Sequence, residues 1–240
     1  MRTLKLDAIK VVLLTAILAL MLFYAGGCGD TSIINTDPSV TNDKNVSISV
    51  KSENGALDNP SANIVIDEAK ALITEVEFEL EGSGIEQEVH AGPFVINFNV
   101  AGGIQLAALG KVPAGVYNKV KFQIHKPEDS ESIPDPEFRE GTSGNQRYSF
   151  IIKGKYNGNS FIYKSKKSVN LVINFSTPVN FQETTRNLTI IFDFNTWFKN
   201  GTVELDPRNP ENEDEIDDNL KNSFKRAFKD DDKNGMPDDN

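Results

Sequence analysis

The chain has 240 residues, with 25 Lys and Arg against 35 Asp and Glu, a formal charge of −10 and 38% apolar content. That suffices for one sizeable core but not for a multi-span membrane protein, and the acidic balance argues against nucleic-acid binding, which needs Lys and Arg to displace phosphate counterions. One Cys excludes an internal disulfide framework and a Cys-based zinc cluster, and two histidines, His90 and His125, leave little for general-base or metal catalysis.

Arg2, Lys5 and Lys10 open the chain, the apolar run Val11 to Tyr24 follows, and Ala25, Gly26 and Gly27 precede Cys28. A basic start, an apolar stretch and small residues before a cut site form a secretory signal peptide over residues 1–27. The apolar run is shorter than the ~20 residues a helix needs to cross a bilayer. The stretch A-G-G-C resembles the bacterial lipobox, with Ala25 where Leu is usual. That resemblance implies that Cys28 is acylated and becomes the mature N-terminus, so that the membrane is reached through lipid on Cys28. The alternative is a plain signal peptide cut near Gly27. Gly29, rather than Asp, after the Cys implies the outer membrane or cell surface. Each buried CH₂ of an acyl chain contributes ~0.8 kcal/mol, and two or more chains anchor stably. The mature chain would carry 22 bases and 34 acids, so lipid and not a basic patch must hold it at the membrane.

Residues 28–44 are rich in Asp, Asn, Thr, Ser and Pro and read as a flexible tether. From Asn45 the period becomes two. Val46, Ile48 and Val50 alternate with Ser47 and Ser49; Leu72, Val76, Phe78 and Leu80 oppose Glu75, Glu77, Glu79 and Glu81. The pattern recurs at Phe94 to Val100, Val120 to Ile124, Tyr148 to Ile152, Val169 to Phe175 and Leu188 to Phe194. Asn157-Gly158 between two such runs predicts a type I′ hairpin turn. Residues 45–207 therefore predict an all-β domain, an antiparallel β-sandwich of about seven to nine strands. Pro127 to Gln146 interrupts it with three prolines, six acids and two glycines, and reads as a mobile surface excursion.

Residues 208–240 form an acidic tail. Ile216, Leu220, Phe224, Ala227 and Phe228 predict an amphipathic helix of about four turns, with acids crowding its start and bases its end. The helix feeds Asp230-Asp231-Asp232-Lys233-Asn234-Gly235, the D-x-D-x-[DN]-G opening of an EF-hand calcium loop. Asp230, Asp232 and Asn234 would offer side-chain oxygens, Met236 its carbonyl, and Asp238 a further carboxylate; position 12, normally a bidentate Glu, has no counterpart. With Pro237 the loop also resembles the short calcium repeats of thrombospondin type 3 regions, which implies the same ligands. The expected affinity is weak, about 10⁻⁴–10⁻³ M, and calcium would be structural. The competing reading is a frayed acidic terminus.

Other constellations are weaker. The glutamates at 75, 77, 79 and 81 read as a solvated strand face with Lys119 and Lys121 opposite. Tyr156, Phe161, Tyr163 and Trp197 form either a sugar platform or, the favoured reading, core. His90 and His125 lack any partner at a catalytic spacing.

The segment Val112-Pro113-Ala114-Gly115-Val116-Tyr117-Asn118-Lys119-Val120-Lys121-Phe122 resembles the V-P-A-G-x-Y turn-and-strand signature of transthyretin-like sandwiches. With the lipobox and the Gly92-Pro93-Phe94 strand start, residues 45–175 resemble an uncharacterised bacterial lipoprotein family, a domain of unknown function. This implies a transthyretin- or immunoglobulin-like fold and an exported life, and transfers no catalytic residue. The expectation is a lipid-anchored, non-enzymatic binding or structural module of the cell envelope, with a glycan or envelope protein as partner. The alternatives are a carbohydrate- or solute-binding module of an uptake system, or an exported hydrolase using Glu75, Glu77, Asp135 or Glu137.

Overall fold

A computed structural model describes residues 44–54, 63–82, 86–89, 93–128, 131–139, 147–182 and 185–238. The signal peptide, Cys28, the tether before Lys44, and His90 lie outside the described residues.

In chain order the elements are β1 (Val46–Ser52), β2 (Ile64–Leu80), β3 (Glu86–Val89), β4 (Phe94–Asn97), β5 (Gln105–Gly110), β6 (Gly115–Ile124) and β7 (Phe150–Tyr156). There follow β8 (Asn159–Ser165), β9 (Val169–Phe181), β10 (Arg186–Phe192), the short pair β11 (Lys199–Asn200) and β12 (Val203–Glu204), helix α1 (Glu213–Asn222) and β13 (Phe224–Lys229). The all-β expectation holds. The sheet runs β5-β1-β10-β13-β9-β6-β2-β7-β8, with β3 and β4 also on β2. It is mixed rather than antiparallel, because β1 lies parallel to β10 and β13 parallel to β9. Parallel neighbours need a long crossover, and the chain supplies one by entering at β1 and returning beside it at β10 only after every strand between them has been laid down.

One hydrophobic cluster draws on strands at both ends of that order, with Ala107 and Ala108 from β5 and Phe161 and Tyr163 from β8. The sheet must therefore curl around a common core. Between β10 and β13 the chain closes the curl with Phe194, Trp197, Phe198 and Leu205, then with Ile216 and Leu220 of α1. Phe198 meets both Phe161 and Tyr163 edge-on.

Asn157 (φ 51°) and Gly158 (φ 76°) form the expected tight turn between β7 and β8, both residues taking the positive φ that a type I′ turn requires. On β2 the alternation is broken twice, by register shifts between Ile66 and Glu68 and between Ile73 and Glu75. Each extra residue reverses which side chains face inward. Ile66 faces the core, then Ala69, Ala71 and Ile73, then Val76 and Phe78. Leu72, expected beside Val76, instead points to the other face and packs with Val95, Phe138 and Ile151.

That second cluster exists because residues 131–139 of the expected excursion are pinned, while 129–130 and 140–146 lie outside the described residues. Residues 136–138 form a 3₁₀ turn capped by Asp135, whose side chain accepts from the Glu137 N–H, and Phe138 is fully buried. The Lys70 ammonium on β2 donates to Asp135 at 2.7 Å and Glu137 at 2.6 Å, and Lys153 on β7 pairs with Glu137 at 2.7 Å. Residues 131–139 are thus a lid on the outer face of β2 and β7 rather than a free loop.

The predicted four-turn helix is also corrected. It ends at Asn222, where the Ser223 hydroxyl donates to the Leu220 carbonyl, and Phe224 begins a strand registered with Phe192 of β10. The helical spacing of Phe224, Ala227 and Phe228 yields to the ladder bonds that β10 offers, since tertiary pairing overrides local periodicity. Helix α1 is held by the Tyr163 hydroxyl, which donates to the Asp217 carboxylate at 2.7 Å and the Glu213 carbonyl at 3.1 Å. Burial raises the pKa of Asp217, and burial followed by the nearby Asp217 charge raises that of Tyr163.

Candidate metal centre

A strand, not a helix, delivers the chain into the acidic loop. Lys229 ends β13, and Asp230 is fully buried on the outer face of β1 and β10. That face is polar and closed. Ser47 and Ser49 of β1 both donate to the Asn187 side-chain oxygen, at 2.7 and 2.9 Å. The Asn187 amide donates to Thr189 Oγ1 and to the Asp230 carbonyl, and Thr189 donates to Asp230 Oδ2 at 2.6 Å. The serines that alternate with the apolar residues of β1 are buried under the loop. Each is satisfied, as buried hydroxyls must be.

The loop bends back on Asp230. Its Oδ1 accepts from the Asn234 N–H at 2.9 Å and its Oδ2 from the Gly235 N–H at 3.0 Å. Gly235 sits at φ +82°, the left-handed region that favours glycine, with the Lys51 side chain packed against it. Lys233 also takes a positive φ, 56°. The Asp238 carboxylate returns to accept from the Asp231 N–H. Asp231 is spoken for elsewhere, accepting from the Asn187 N–H at 2.9 Å and from the Arg186 guanidinium at 2.6 Å.

Of the expected ligands, Asp230, Asp232 and Asp238 converge, each offering a carboxylate oxygen within 4.8 Å of the others. Oxygens on opposite sides of a calcium ion, each bonded at about 2.3–2.6 Å, lie about 4.6–5.2 Å apart, so the spacing fits that ion. An all-oxygen donor set suits a hard cation. Asn234 is turned differently: its Oδ1 accepts from the Met236 N–H at 2.7 Å and its amide donates to Asp232 at 2.7 Å. The Met236 side chain is exposed. Lys51 Nζ lies 3.4 Å from the Asn234 carbonyl and 3.5 Å from that of Gly235. Lys51, Asn187 and Thr189 escape sequence reasoning, because only the pairing of β1, β10 and β13 brings them to the loop.

The other candidates separate. Glu79 pairs with Lys119 at 2.7 Å and Glu77 with Lys121 at 3.7 Å, the cross-strand partners expected; Glu81 lies exposed at the end of this row. Glu75, Glu77 and Lys121 line a shallow cavity of about 320 Å³ on this face. Phe161, Tyr163 and Trp197 are core residues. Tyr156 is half-buried beneath the Arg208 guanidinium, 5.4 Å from its ring centroid. His125 follows β6, partly exposed, away from the acidic loop in the sheet order. Among the described residues no helix is long and apolar enough to cross a membrane. Comparison with known protein families, with curated proteins and with solved structures finds no match for this chain.

Proposed function

We propose that the chain is an exported protein anchored by lipid on Cys28, a non-enzymatic binding or structural module of the bacterial cell envelope whose C-terminal loop is steadied by calcium. The leader and its terminal A-G-G-C support export to the outer membrane or cell surface. The curl is read as folding the sheet into the two facing layers of a sandwich, with β5, β1 and β10 on one side and β6, β2 and β7 on the other.

The observation that carries the calcium reading is the convergence of Asp230, Asp232 and Asp238 on a loop rooted in the sheet through a fully satisfied polar network. A frayed terminus would not bury its first carboxylate. The ion would be held by these three carboxylates, with Asn234 and the Met236 carbonyl recruited by a modest rotation of the loop. Its chemistry is charge neutralisation. The hydrolase reading is weakened because Glu77, Asp135 and Glu137 each hold a lysine partner. The sugar-platform reading is weakened by the burial of Phe161, Tyr163 and Trp197.

Titrating Ca²⁺ while following the Met236 amide by NMR tests the loop. A saturable shift with a midpoint of about 10⁻⁴–10⁻³ M is expected, and no shift up to several millimolar overturns it. Mass spectrometry of the native protein tests the anchor: an acylated Cys28 is expected, and a bare thiol refutes it.

A further inference from the structure

Among the described residues strand β8 ends the sheet. Tyr156 and Asn159 close the two-residue hairpin, and the closing pair of such a turn exchanges both backbone bonds. Asn159, Phe161 and Tyr163 therefore spend their N–H and C=O groups on β7, while those of Ser160, Ile162 and Lys164 point outward. Edge strands that must stay single are kept short, bulged, covered or free of exposed apolar side chains. This one is seven residues long, pairs with β7 without a register shift, and carries Ile162 59% exposed at its centre.

The surroundings are basic on a chain of net charge −10. Beside β8 runs a groove of about 430 Å³ whose walls include Ile162, Lys164 and Lys166 on one side and Pro207, Arg208 and Glu213 on the other; Arg208 is held by Asp206 at 2.7 Å, so the lysines carry the excess positive charge. Lys155, exposed on the adjoining strand, lies opposite Ser160. Cations along an edge repel a second copy of the same edge and attract a negative strand. Stacked sugars are poorly served here. Lys164 lies over the Tyr148 ring at 4.9 Å and Arg208 over that of Tyr156, so both aromatic faces are capped by cations.

We propose that the edge of β8 binds an extended acidic peptide segment of a partner protein as an additional strand, with Ser160, Ile162 and Lys164 supplying the backbone ladder and Lys155, Lys164 and Lys166 the charge. Alternate side chains of the guest point to opposite faces, so its acids sit among the lysines when they recur at every second position. The inference names the partner of the binding module proposed above and rests on that reading.

The test uses the full chain in neutral detergent and a fluorescent ten-residue peptide of alternating Glu and Val, followed by anisotropy. Binding that weakens with salt is expected, with an alternating Lys and Val peptide at least tenfold weaker. The double variant Lys164→Glu/Lys166→Glu should lose roughly tenfold in affinity. Ile162→Pro removes an outward N–H while keeping every bond to β7, and should also lose roughly tenfold. Should that variant fail to fold, a fully N-methylated peptide of the same sequence replaces it and should not bind. Equal binding of the Lys peptide or of the N-methylated peptide overturns the inference. So does a stable dimer that Ile162→Pro dissolves, which would give the edge to a second copy. Polygalacturonate binding where the Glu peptide does not would overturn the peptide but leave a binding module standing; silence from every probe overturns the edge alone, since the calcium titration and lipid analysis test the parent reading independently.

Discussion

Replacing Lys70 with Met probes whether residues 131–139 are a separately held layer. Lys70 is 10% exposed at its side chain and reaches Asp135, Glu137 and Glu68 at 2.7, 2.6 and 2.9 Å. Methionine keeps the stem's packing against the sheet but leaves the carboxylates without that ammonium. Breaking a buried ion pair costs about 3–5 kcal/mol. Here Asp135 and Glu137 are 26% and 28% exposed, and Glu137 keeps Lys153, so water and the second lysine reduce the loss to about 2 kcal/mol. The loss falls on local opening. The Tyr148 amide, which donates to the Phe138 carbonyl at 3.1 Å, should exchange with deuterium roughly 30-fold faster in the variant, at about 1.36 kcal/mol per tenfold. The amide of Phe122, deep in the sheet, should be unchanged. The effect also depends on pH. Hydrogen bonds from Lys153 and then Lys70 hold the Glu137 carboxyl below the usual carboxylate range. Its contribution is therefore complete above that range and fades as pH falls through the depressed value. Loss of Lys70 should move the onset of acid loosening upward. Unaltered exchange at Tyr148, or equal acceleration at Phe122, would show that the ion network does not hold the lid.

Asp217→Asn tests the opposite sign. Burial raises the Asp217 pKa, so its contribution is complete below the unfolded carboxylate value and is lost as pH rises through the folded one. The variant should melt higher than the parent at pH 7 and lose that advantage on acidification, read by thermal denaturation across pH. Gly154→Ala tests the first bulge of β2: a Cβ there would lie 2.0 Å from the Val65 carbonyl and 3.0 Å from Phe161, and the overpacking should lower stability by about 3 kcal/mol in urea unfolding.

Much of the sheet is legible in the sequence, because strands with one face buried advertise it by strict alternation, and β6 and β9 do so plainly. The Asn157-Gly158 turn is legible for a different reason: its backbone conformation excludes most other residues. What fails does so where a strand leaves that regime. The bulges of β2 each add a residue and carry no distinctive side chain, so alternation alone places Leu72 on the wrong face. Strand β13 is bulged against Phe192 and its exposed Lys225 and Arg226 stand side by side, which erases period two and leaves a helical spacing. The candidate metal centre divides in the same way. Its oxygen donors follow a local motif and could be read directly, whereas Ser47, Ser49, Asn187 and Thr189 belong to it only through a parallel pairing of segments about 140 residues apart.

The pairing of β1 with β10 has a mechanical consequence. Seven residue pairs, Val46↔Arg186 to Ser52↔Phe192, run side by side in the same direction, with β5 on the opposite flank of β1. A pull applied along β1 from its Val46 end loads the ladder bonds on both flanks in shear, so that they share the load rather than parting one after another. The first residue to be dragged, Val46, abuts Arg186, which is tied to Asp231. Tension along β1 would meet the sheet where its first strand, β10 and the loop after β13 are fastened together.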